Sequence, residues 1–270
     1  QVMDSTVTMN LSTIFKTKGA CWSLAAACAS GAHSIGQAAD LIRCGRQERV
    51  IAGGAQEINW HVMASFDALN AFSTNVENPK SASKPFDKNR DGLVPSGGAA
   101  ALVLERMDIA VKRGAKIYGE IVGYGFSADG ADLSIPDGIG AQVAMNKALN
   151  SSGIRPEDIE YINAHATSTP GGDSKEAEAI YKIFGSDTYV SSTKSTTGHE
   201  CWMAGASEAI YSLIMMNEGF IAPNVNFIEG DEITSKINVV NKTLNFSPKL
   251  VLSNSFGFGG TNAALILRKV

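Results

Sequence analysis

The stretch Ala25-Ala26-Ala27-Cys28-Ala29-Ser30-Gly31 is the part of the sequence from which the fold can be worked out. Residues 21–25 (CWSLA) predict a buried strand, and Ser30 to Arg43 repeats apolar residues at helical spacing. Cys28 therefore falls where a strand runs into a helix, among small neighbours that permit a sharp turn. At a helix N-terminus the macrodipole favours the thiolate, which is the reactive form of cysteine. The stretch predicts either a nucleophile or a buried structural cysteine.

Strand and helix patterns alternate along the rest of the chain, which favours the α/β class. Residues 49–52 predict a strand that stops at Gly53-Gly54, residues 73–98 a long polar loop, and residues 99–104 another strand. A second series begins at Lys116. Its predicted helices span residues 142–149, 174–184 and 204–216, and its strands span residues 161–163, 189–191, 250–254 and 263–267. The last two strands predict a hairpin. The two series predict two halves, residues 1–110 and 111–270.

The bulk composition argues against several classes of function. The chain has 270 residues, 44% of them hydrophobic, which is enough for one large domain or two smaller ones. A net charge of -4 argues against a broad nucleic-acid surface. No apolar run is long enough to cross a bilayer and no secretory leader is seen, so neither a membrane nor secretion is expected. The four cysteines lack C-x-x-C spacing, which argues against zinc and favours a reducing cytoplasm.

Two predicted strands end in loops that contain histidine. His165 stands in NAHATSTP (residues 163–170), where its imidazole could face a cleft or could bridge the loop backbone. His199 closes TKSTTGH (residues 193–199) and is expected to open the helix that contains Glu208, where the helix dipole would keep it neutral. Lys194 is bracketed by small polar residues and either serves the site or forms a salt bridge that holds the loop.

The hairpin turn NSFGFGGTN (residues 254–262) is the fourth candidate. Its glycines let the backbone approach a ligand, and its free N–H groups could form an oxyanion hole. A dinucleotide-binding loop is excluded because a strand follows where that motif requires a helix. Phe256 and Phe258 predict either a packed turn or a gate.

Taken together and in this order, these stretches resemble the β-ketoacyl-acyl-carrier-protein synthases, the elongating type I and type II condensing enzymes of the thiolase superfamily. The resemblance rests on residues 26–31, 165–170, 194–199 and 254–262, and on KPFD with RDG in the long loop (residues 84–87 and 90–92). It covers essentially the whole chain. It implies a thiolase-like five-layer αβαβα fold of two similar halves, the first of them incomplete, and a homodimer.

The resemblance also implies catalytic roles. Cys28 would take the acyl chain from an acyl carrier protein as a thioester. His165 and His199 would then polarise the thioester carbonyl of malonyl-carrier during its decarboxylation. The resulting carbanion would attack the acyl group on Cys28, whose oxyanion would bind the backbone N–H groups of Cys28 and Phe258. The activity would be that of an acyltransferase that elongates fatty acids in the cytoplasm.

Supporting residues follow from the same resemblance. Thr167 and Thr169 match contacts to the phosphopantetheine arm, and Lys194 with Glu208 matches an ion pair behind the histidines. Phe258, together with Phe256, matches a gate between the acyl and malonyl steps. No cofactor or metal is implied, because the substrates arrive on the phosphopantetheine of the carrier protein. Nucleic acid and membranes are not expected as partners.

The sequence departs from the family pattern in two places. Glu200-Cys201-Trp202-Met203 follows the second histidine where the family has small residues with glycine, so Trp202 is expected to change the helix start or the floor of the acyl pocket. The chain begins at Gln1 and lacks the family's opening strands, so we expect a fragment that is inactive alone.

Several alternatives stay open at this point. One is a polyketide-type ketosynthase. Another is a non-catalytic partner like a chain-length factor, although such partners lack the nucleophile. Thiolases and priming synthases use Cys-His-Cys or Cys-His-Asn sets, and the pair of histidines argues against both.

Overall fold

The computed structural model describes residues 3–270 of the chain. The helices are α1 (Thr6–Phe15), α2 (Ser30–Arg43), α3 (Trp60–Ala68), α4 (Met107–Lys112), α5 (Ile139–Ser152), α6 (Pro170–Phe184), α7 (Lys194–Thr197) and α8 (Ala204–Glu218). The strands are β1 (Arg49–Gln56), β2 (Gly98–Glu105), β3 (Glu120–Ala128), β4 (Tyr161–Asn163), β5 (Tyr189–Ser191), β6 (Asn238–Val239), β7 (Leu250–Gly257) and β8 (Thr261–Arg268). This alternation confirms the predicted α/β class.

A six-stranded mixed sheet, in the order β3-β8-β7-β4-β5-β6, forms the centre of the molecule. Strands β3, β8 and β7 pair antiparallel, whereas β7, β4, β5 and β6 run parallel. Helices α5 and α6 pack on one face and contribute to one apolar core, while α2 and α8 pack on the other face. Because both faces are covered, β4, β5 and β7 begin with apolar residues on both faces, and their polar residues, such as Asn163, Ser191 and Asn254, lie toward the carboxyl ends.

Strands β1 and β2 form a separate two-stranded antiparallel sheet. Helices α2 and α8 contact this sheet as well as the larger one, so they lie between the two sheets. The described residues therefore stack as sheet, helices, sheet, helices. Cys28 comes shortly before α2, and His199 comes shortly before α8. Because α2 and α8 contact each other in this middle layer, Cys28 and His199 come together.

Strand β1 continues through Gly53 and Gly54, and the prediction that it stops there is wrong. A Cβ atom on Gly53 would lie 2.0 Å from the carbonyl oxygen of Ala100 on the paired strand. A Cβ atom on Gly54 would lie 2.8 Å from the Cα of Met203. The glycines therefore serve close packing of the backbone, a role that glycine can play inside a strand.

Residues 21–25 do not form the predicted buried strand. Trp22 is 54% exposed and Leu24 is 38% exposed. A strand needs hydrogen bonds to a neighbouring strand, and none within residues 3–270 pairs with this segment. The segment is instead irregular up to an isolated bridge between Ala26 and Cys28.

The other predicted elements are confirmed, with shifts at their ends. Helix α2 has the predicted bounds, α6 begins four residues before the predicted helix, and β7 and β8 pair as the predicted hairpin. The polar loop between residues 73 and 98 is also confirmed, and it folds against the loop after β4. Its Gly92 N–H donates to the carbonyl of Ser168 at 2.9 Å, and its Lys84 N–H donates to the Ser168 hydroxyl at 3.1 Å.

No helix within residues 3–270 combines the length and the apolar character that a membrane crossing requires.

Candidate active site

Cys28 lies at the N-terminal end of α2, one residue after a strained backbone position. Ala27 has a φ of 45°, in the left-handed region that residues with a side chain rarely adopt. The Ser30 hydroxyl accepts the N–H of Ala26 at 2.8 Å and donates to the carbonyl of Ala27 at 2.7 Å. The Thr261 hydroxyl donates to the carbonyl of Ala26 at 2.8 Å. These bonds hold the turn that presents Cys28.

A cavity of about 440 Å³ brings most of the predicted site residues together. Its lining includes Cys28, His165, Thr167, Thr169, His199, Phe256 and Phe258. These residues come from distant parts of the chain. Lys194 and Glu208 do not line the cavity and are buried behind the histidines.

The Cys28 thiol contacts one imidazole directly, with its Sγ 3.1 Å from Nε2 of His199. Burial raises the pKa of the thiol to about 12, and the neighbouring Cys201 adds to the rise. Lys194 and the backbone N–H groups of Phe258 and Cys28 lower that pKa, but by less. The expected resting thiolate is therefore wrong, because burial outweighs the position at a helix N-terminus. Cys28 is a thiol at neutral pH, and His199 is within hydrogen-bond range of its sulfur.

The loop that carries His165 is held by two buried carboxylates of α6. The N–H groups of His165 and Ala166 donate to the two oxygens of Glu176 at 2.9 and 2.7 Å. The N–H of Thr167 donates to Asp173 at 3.0 Å. Burial raises the pKa of Asp173 to about 6 and that of Glu176 to about 7.

Sequence reasoning missed Asp173 and Glu176. The available signal was their spacing: two acids three residues apart lie on one face of a helix that directly follows a histidine loop.

His199 does not open the helix that contains Glu208, so that prediction is wrong. Positive φ angles at Gly198 (73°) and Cys201 (49°) turn the chain, and α8 begins only at Ala204. The backbone of His199 is held instead by the long loop: its N–H donates to the carbonyl of Val94 at 2.7 Å, and its carbonyl accepts the N–H of Ser96 at 2.9 Å.

The two imidazoles lie edge to face, with their ring centroids 5.4 Å apart. Burial lowers the pKa of each well below its usual range, and the positive charge of Lys194 lowers both further. The expected neutral state of His199 thus has burial and Lys194 as its causes rather than a helix end. In the described residues the Nδ1 atoms of both rings have no hydrogen-bond partner. The pair presents neutral imidazoles to the cavity.

Lys194 and Glu208 form a buried ion pair, with the lysine side chain only 1% exposed. Burial raises the pKa of Glu208 to about 8, and Lys194 opposes this rise. Lys194 also lowers the pKa of both histidines, so this ion pair helps to keep the two imidazoles neutral.

The remaining predicted residues form the walls of the cavity. The hydroxyls of Thr167 and Thr169 lie 3.2 Å apart. The ring of Phe256 lies 5.9 Å from that of His165, and the ring of Phe258 lies 5.9 Å from that of Phe66. Phe258 occupies the turn between β7 and β8, just before Gly259 and Gly260, whose φ angles are 79° and 73°.

The structure contradicts one of the two expectations for Trp202, that it changes the floor of the pocket. Its side chain is 41% exposed and does not line the cavity. The neighbouring Cys201 is buried instead, in an apolar cluster with Phe66, Ala71 and Leu93 against which Phe258 packs. Because the turn points Trp202 outward, the residues that replace the family's small residues here affect the site through Cys201.

Comparison with known proteins places the chain in a family. Residues 1–110 match the model of the β-ketoacyl synthase N-terminal domain, and residues 118–228 match that of the C-terminal domain. Over its whole length the chain is 47% identical to 3-oxoacyl-[acyl-carrier-protein] synthase 1 of Haemophilus influenzae and 46% identical to that of Escherichia coli K12. It covers 66% of the length of each.

Solved structures give the same result. A β-ketoacyl synthase from Burkholderia phymatum superposes with a TM-score of 0.96 at 39% identity, over 98% of this chain and 65% of that one. A type II polyketide ketosynthase, solved in complex with its acyl-carrier protein, gives a TM-score of 0.95 at 29% identity, over 98% of this chain and 67% of that one. The chain belongs to the β-ketoacyl synthase family and has its thiolase-like fold.

Proposed function

We propose that the protein is a β-ketoacyl-acyl-carrier-protein synthase that lengthens fatty acids by decarboxylative condensation. The observation that carries the proposal is the contact between Cys28 and His199 at 3.1 Å, beside a second neutral imidazole in one cavity. The names of the relatives from Haemophilus influenzae and Escherichia coli support this reaction class.

In the first step, Sγ of Cys28 attacks the carbonyl carbon of an acyl thioester on the carrier protein. The thiol proton passes by way of His199 to the sulfur of the departing phosphopantetheine thiol, and the acyl group stays on Cys28 as a thioester. The backbone N–H groups of Cys28 and Phe258, which lower the pKa of the Cys28 thiol, would donate to the carbonyl oxygen of an acyl group held there.

In the second step, malonyl-carrier loses carbon dioxide, and negative charge develops on its thioester oxygen. His165 and His199 each donate a hydrogen bond to that oxygen, which buried, neutral imidazoles can do. The carbanion attacks the acyl carbonyl carbon, the bond to Sγ breaks with its electron pair going to sulfur, and the new ketoacyl chain leaves on the carrier protein. The Cys28 thiolate then takes a proton from solvent by way of His199 and returns to the thiol. Thr167 and Thr169, on the cavity wall, would bind the phosphopantetheine arm.

The remaining expectations are parts of this proposal. The carrier protein as partner is supported by the names of the relatives and by the solved ketosynthase complex. The homodimer, the cytoplasmic location and the division into residues 1–110 and 111–270 stay predictions. A polyketide-type ketosynthase is the second candidate. However, the chain is 29% identical to the solved type II polyketide ketosynthase described above, against 47% identical to the synthase from Haemophilus influenzae.

Single substitutions His165→Ala and His199→Ala test the proposal. Each should lower the decarboxylation of malonyl-carrier by about a hundredfold or more, as expected for a lost donor to a developing oxyanion. The rate is measured as carbon dioxide release, and acylation of Cys28 is measured separately by intact mass. Acylation should suffer less than decarboxylation in His165→Ala, whereas His199→Ala should slow both steps because His199 also relays the thiol proton.

The exposed His61 provides the matched control, because His61→Ala removes an imidazole that does not line the cavity. Unchanged decarboxylation in both His165→Ala and His199→Ala would contradict the assignment.

A further inference from the structure

On the side of the long loop, the turn between His199 and α8 is held by backbone hydrogen bonds. Val94 and Ser96 hold the backbone of His199 through two hydrogen bonds. Beyond His199 the chain passes through Cys201, whose φ of 49° is unfavourable for a residue with a side chain. Such a conformation persists only where the surroundings enforce it. The apolar cluster around Cys201 holds the turn on one side, and a contact with α8 holds it on the other.

Glu200 makes that contact. Its side chain points into α8, where Oε1 accepts the Tyr211 hydroxyl at 3.0 Å and Oε2 contacts the Ser207 hydroxyl. Ser207 and Tyr211 are four residues apart, so they present both hydroxyls on one face of the helix. The Ser207 hydroxyl also lies 2.9 Å from the carbonyl of Ala204, so its single proton is shared.

The burial of Glu200 makes these hydroxyls important. Glu200 is only 7% exposed, and no cation within residues 3–270 forms an ion pair with it. A buried carboxylate is strongly unfavourable unless it is hydrogen-bonded, so its position is determined by the two donors on α8. Tyr211 responds as expected: burial and the Glu200 charge raise the pKa of its hydroxyl to about 12.

We propose that Glu200 is a positioning residue for the proposed reaction, which by its bonds to Ser207 and Tyr211 holds the strained turn and keeps His199 against Cys28. It touches neither substrate nor the reacting sulfur and does not line the cavity. It acts through the residue directly before it in the chain. The effect of Glu200 on catalysis rests on the proposed function. Its effect on the position of His199 does not, because that position does not depend on substrate.

The test measures how fast iodoacetamide modifies Cys28, which needs neither carrier protein nor substrate. A Cys21→Ser background is used because Cys21 and Cys28 share one tryptic peptide, between Lys18 and Arg43. Glu200→Ala should slow alkylation of Cys28 about tenfold, since a displacement of about 1 Å can lower reactivity by one to two orders of magnitude. Glu200→Gln keeps the shape and one acceptor and should stay within about twofold of the parent.

A double-mutant cycle separates positioning from general damage. If Glu200 acts through His199, then Glu200→Ala has no further effect once His199→Ala is present. Additive effects would overturn the proposal, as would an unchanged rate in Glu200→Ala or an equal loss in Glu200→Gln. Glu218→Gln, at the exposed C-terminal end of α8, is the control and should match the parent.

Should Glu200→Ala fail to fold, Tyr211→Phe replaces it, because it removes a single hydroxyl from the same carboxylate. It should slow alkylation about threefold, the effect of one hydrogen bond, and an unchanged rate would overturn the proposal. Condensation is measured on the same variants, made in a chain that carries the further residues present in the relatives. Alkylation that follows the expected pattern without any condensation would leave the positioning role intact and contradict the proposed function.

Discussion

The reactivity of Cys28 depends on its partners more than on its own pKa. The thiol is 4% exposed and its pKa is raised to about 12, whereas Cys21 and Cys44 are exposed. Selective labelling of Cys28, which its place in the sequence suggested, does not follow from this structure. Under the proposed function, the thiol is activated when a neighbouring group takes its proton, and His199 is the group in contact with the sulfur.

Access therefore decides the order of labelling. Limiting iodoacetamide should modify Cys21 and Cys44 before Cys28, and Cys201 should be modified as slowly as Cys28 because burial raises its pKa to about 11. Peptide mass spectrometry at short times checks the order, with Cys21→Ser and Cys28→Ser variants to resolve the shared peptide. Modification of Cys28 first would mean that the cavity is more open than described.

At the scale of elements, helix α6 has a role that extends beyond packing. Through Asp173 and Glu176 it accepts the backbone N–H groups of the loop that carries His165. Asn254 on β7 donates to the same Glu176 at 3.0 Å, so helix, loop and strand meet at one carboxylate. The position of His165 thus depends on Glu176, a buried carboxylate that forms only a part of the cavity wall.

The raised pKa of Glu176 predicts a pH-dependent stability. Its folded pKa of about 7 lies above its ordinary 4.5, so the folded state binds the proton more tightly. Its contribution is complete below about pH 4.5 and is lost as the pH rises through about 7. Thermal melts from pH 5 to 8 should show the Tm of the parent falling more steeply than that of Glu176→Gln. Parallel slopes would show that Glu176 does not titrate in this range.

The hairpin of β7 and β8 predicts a gate. Phe258 packs on Phe66 and stands before two glycines with left-handed backbones, which let the turn change conformation. Phe258→Ala should slow elongation by about tenfold while Cys28 still reacts with iodoacetamide at least as fast as in the parent. Phe15→Ala, on an exposed face of α1, serves as the control. If elongation is unaffected, Phe258 is a packing residue.

The parts of the site that the sequence predicted are those that depend on local pattern. Cys28 before α2, the histidine loop after β4 and the glycine turn between β7 and β8 each follow from a strand end or a turn signal. The parts that it did not predict depend on distant contacts. Residues 21–25 resemble a buried strand by composition but pair with no strand within residues 3–270, and the turn at Cys201 separates His199 from the start of α8.

At the scale of the whole molecule, the two sheets differ in completeness. Within residues 3–270 the larger sheet has six strands and a continuous core, whereas β1 and β2 pair only with each other. Beside them, Trp22 and Leu24 are exposed, and a groove runs between α1, α2 and β1. Exposed apolar side chains and unpaired strand edges favour association between molecules.

The 270-residue chain alone should therefore lack condensation activity and should aggregate more readily than a chain carrying the further residues present in its relatives. Condensation with carrier-bound acyl and malonyl groups, measured beside light scattering, compares the two preparations. Residues 116–270, expressed separately, test whether the larger sheet keeps its structure. Turnover by a homogeneous preparation of the 270 residues would show that the smaller sheet suffices as it stands.

The bond between the Thr261 hydroxyl and the carbonyl of Ala26 joins residues 235 positions apart. A ribosome reaches the second of them only near the end of these 270 residues, so during synthesis the nucleophile turn exists for most of the time without the hairpin that closes it. Contacts of such large sequence separation form late in folding. Under the proposed function, the growing polypeptide thus carries Cys28 before that residue can accept an acyl group, and this ability arises only after the turn at Cys28 and the hairpin of β7 and β8 have met.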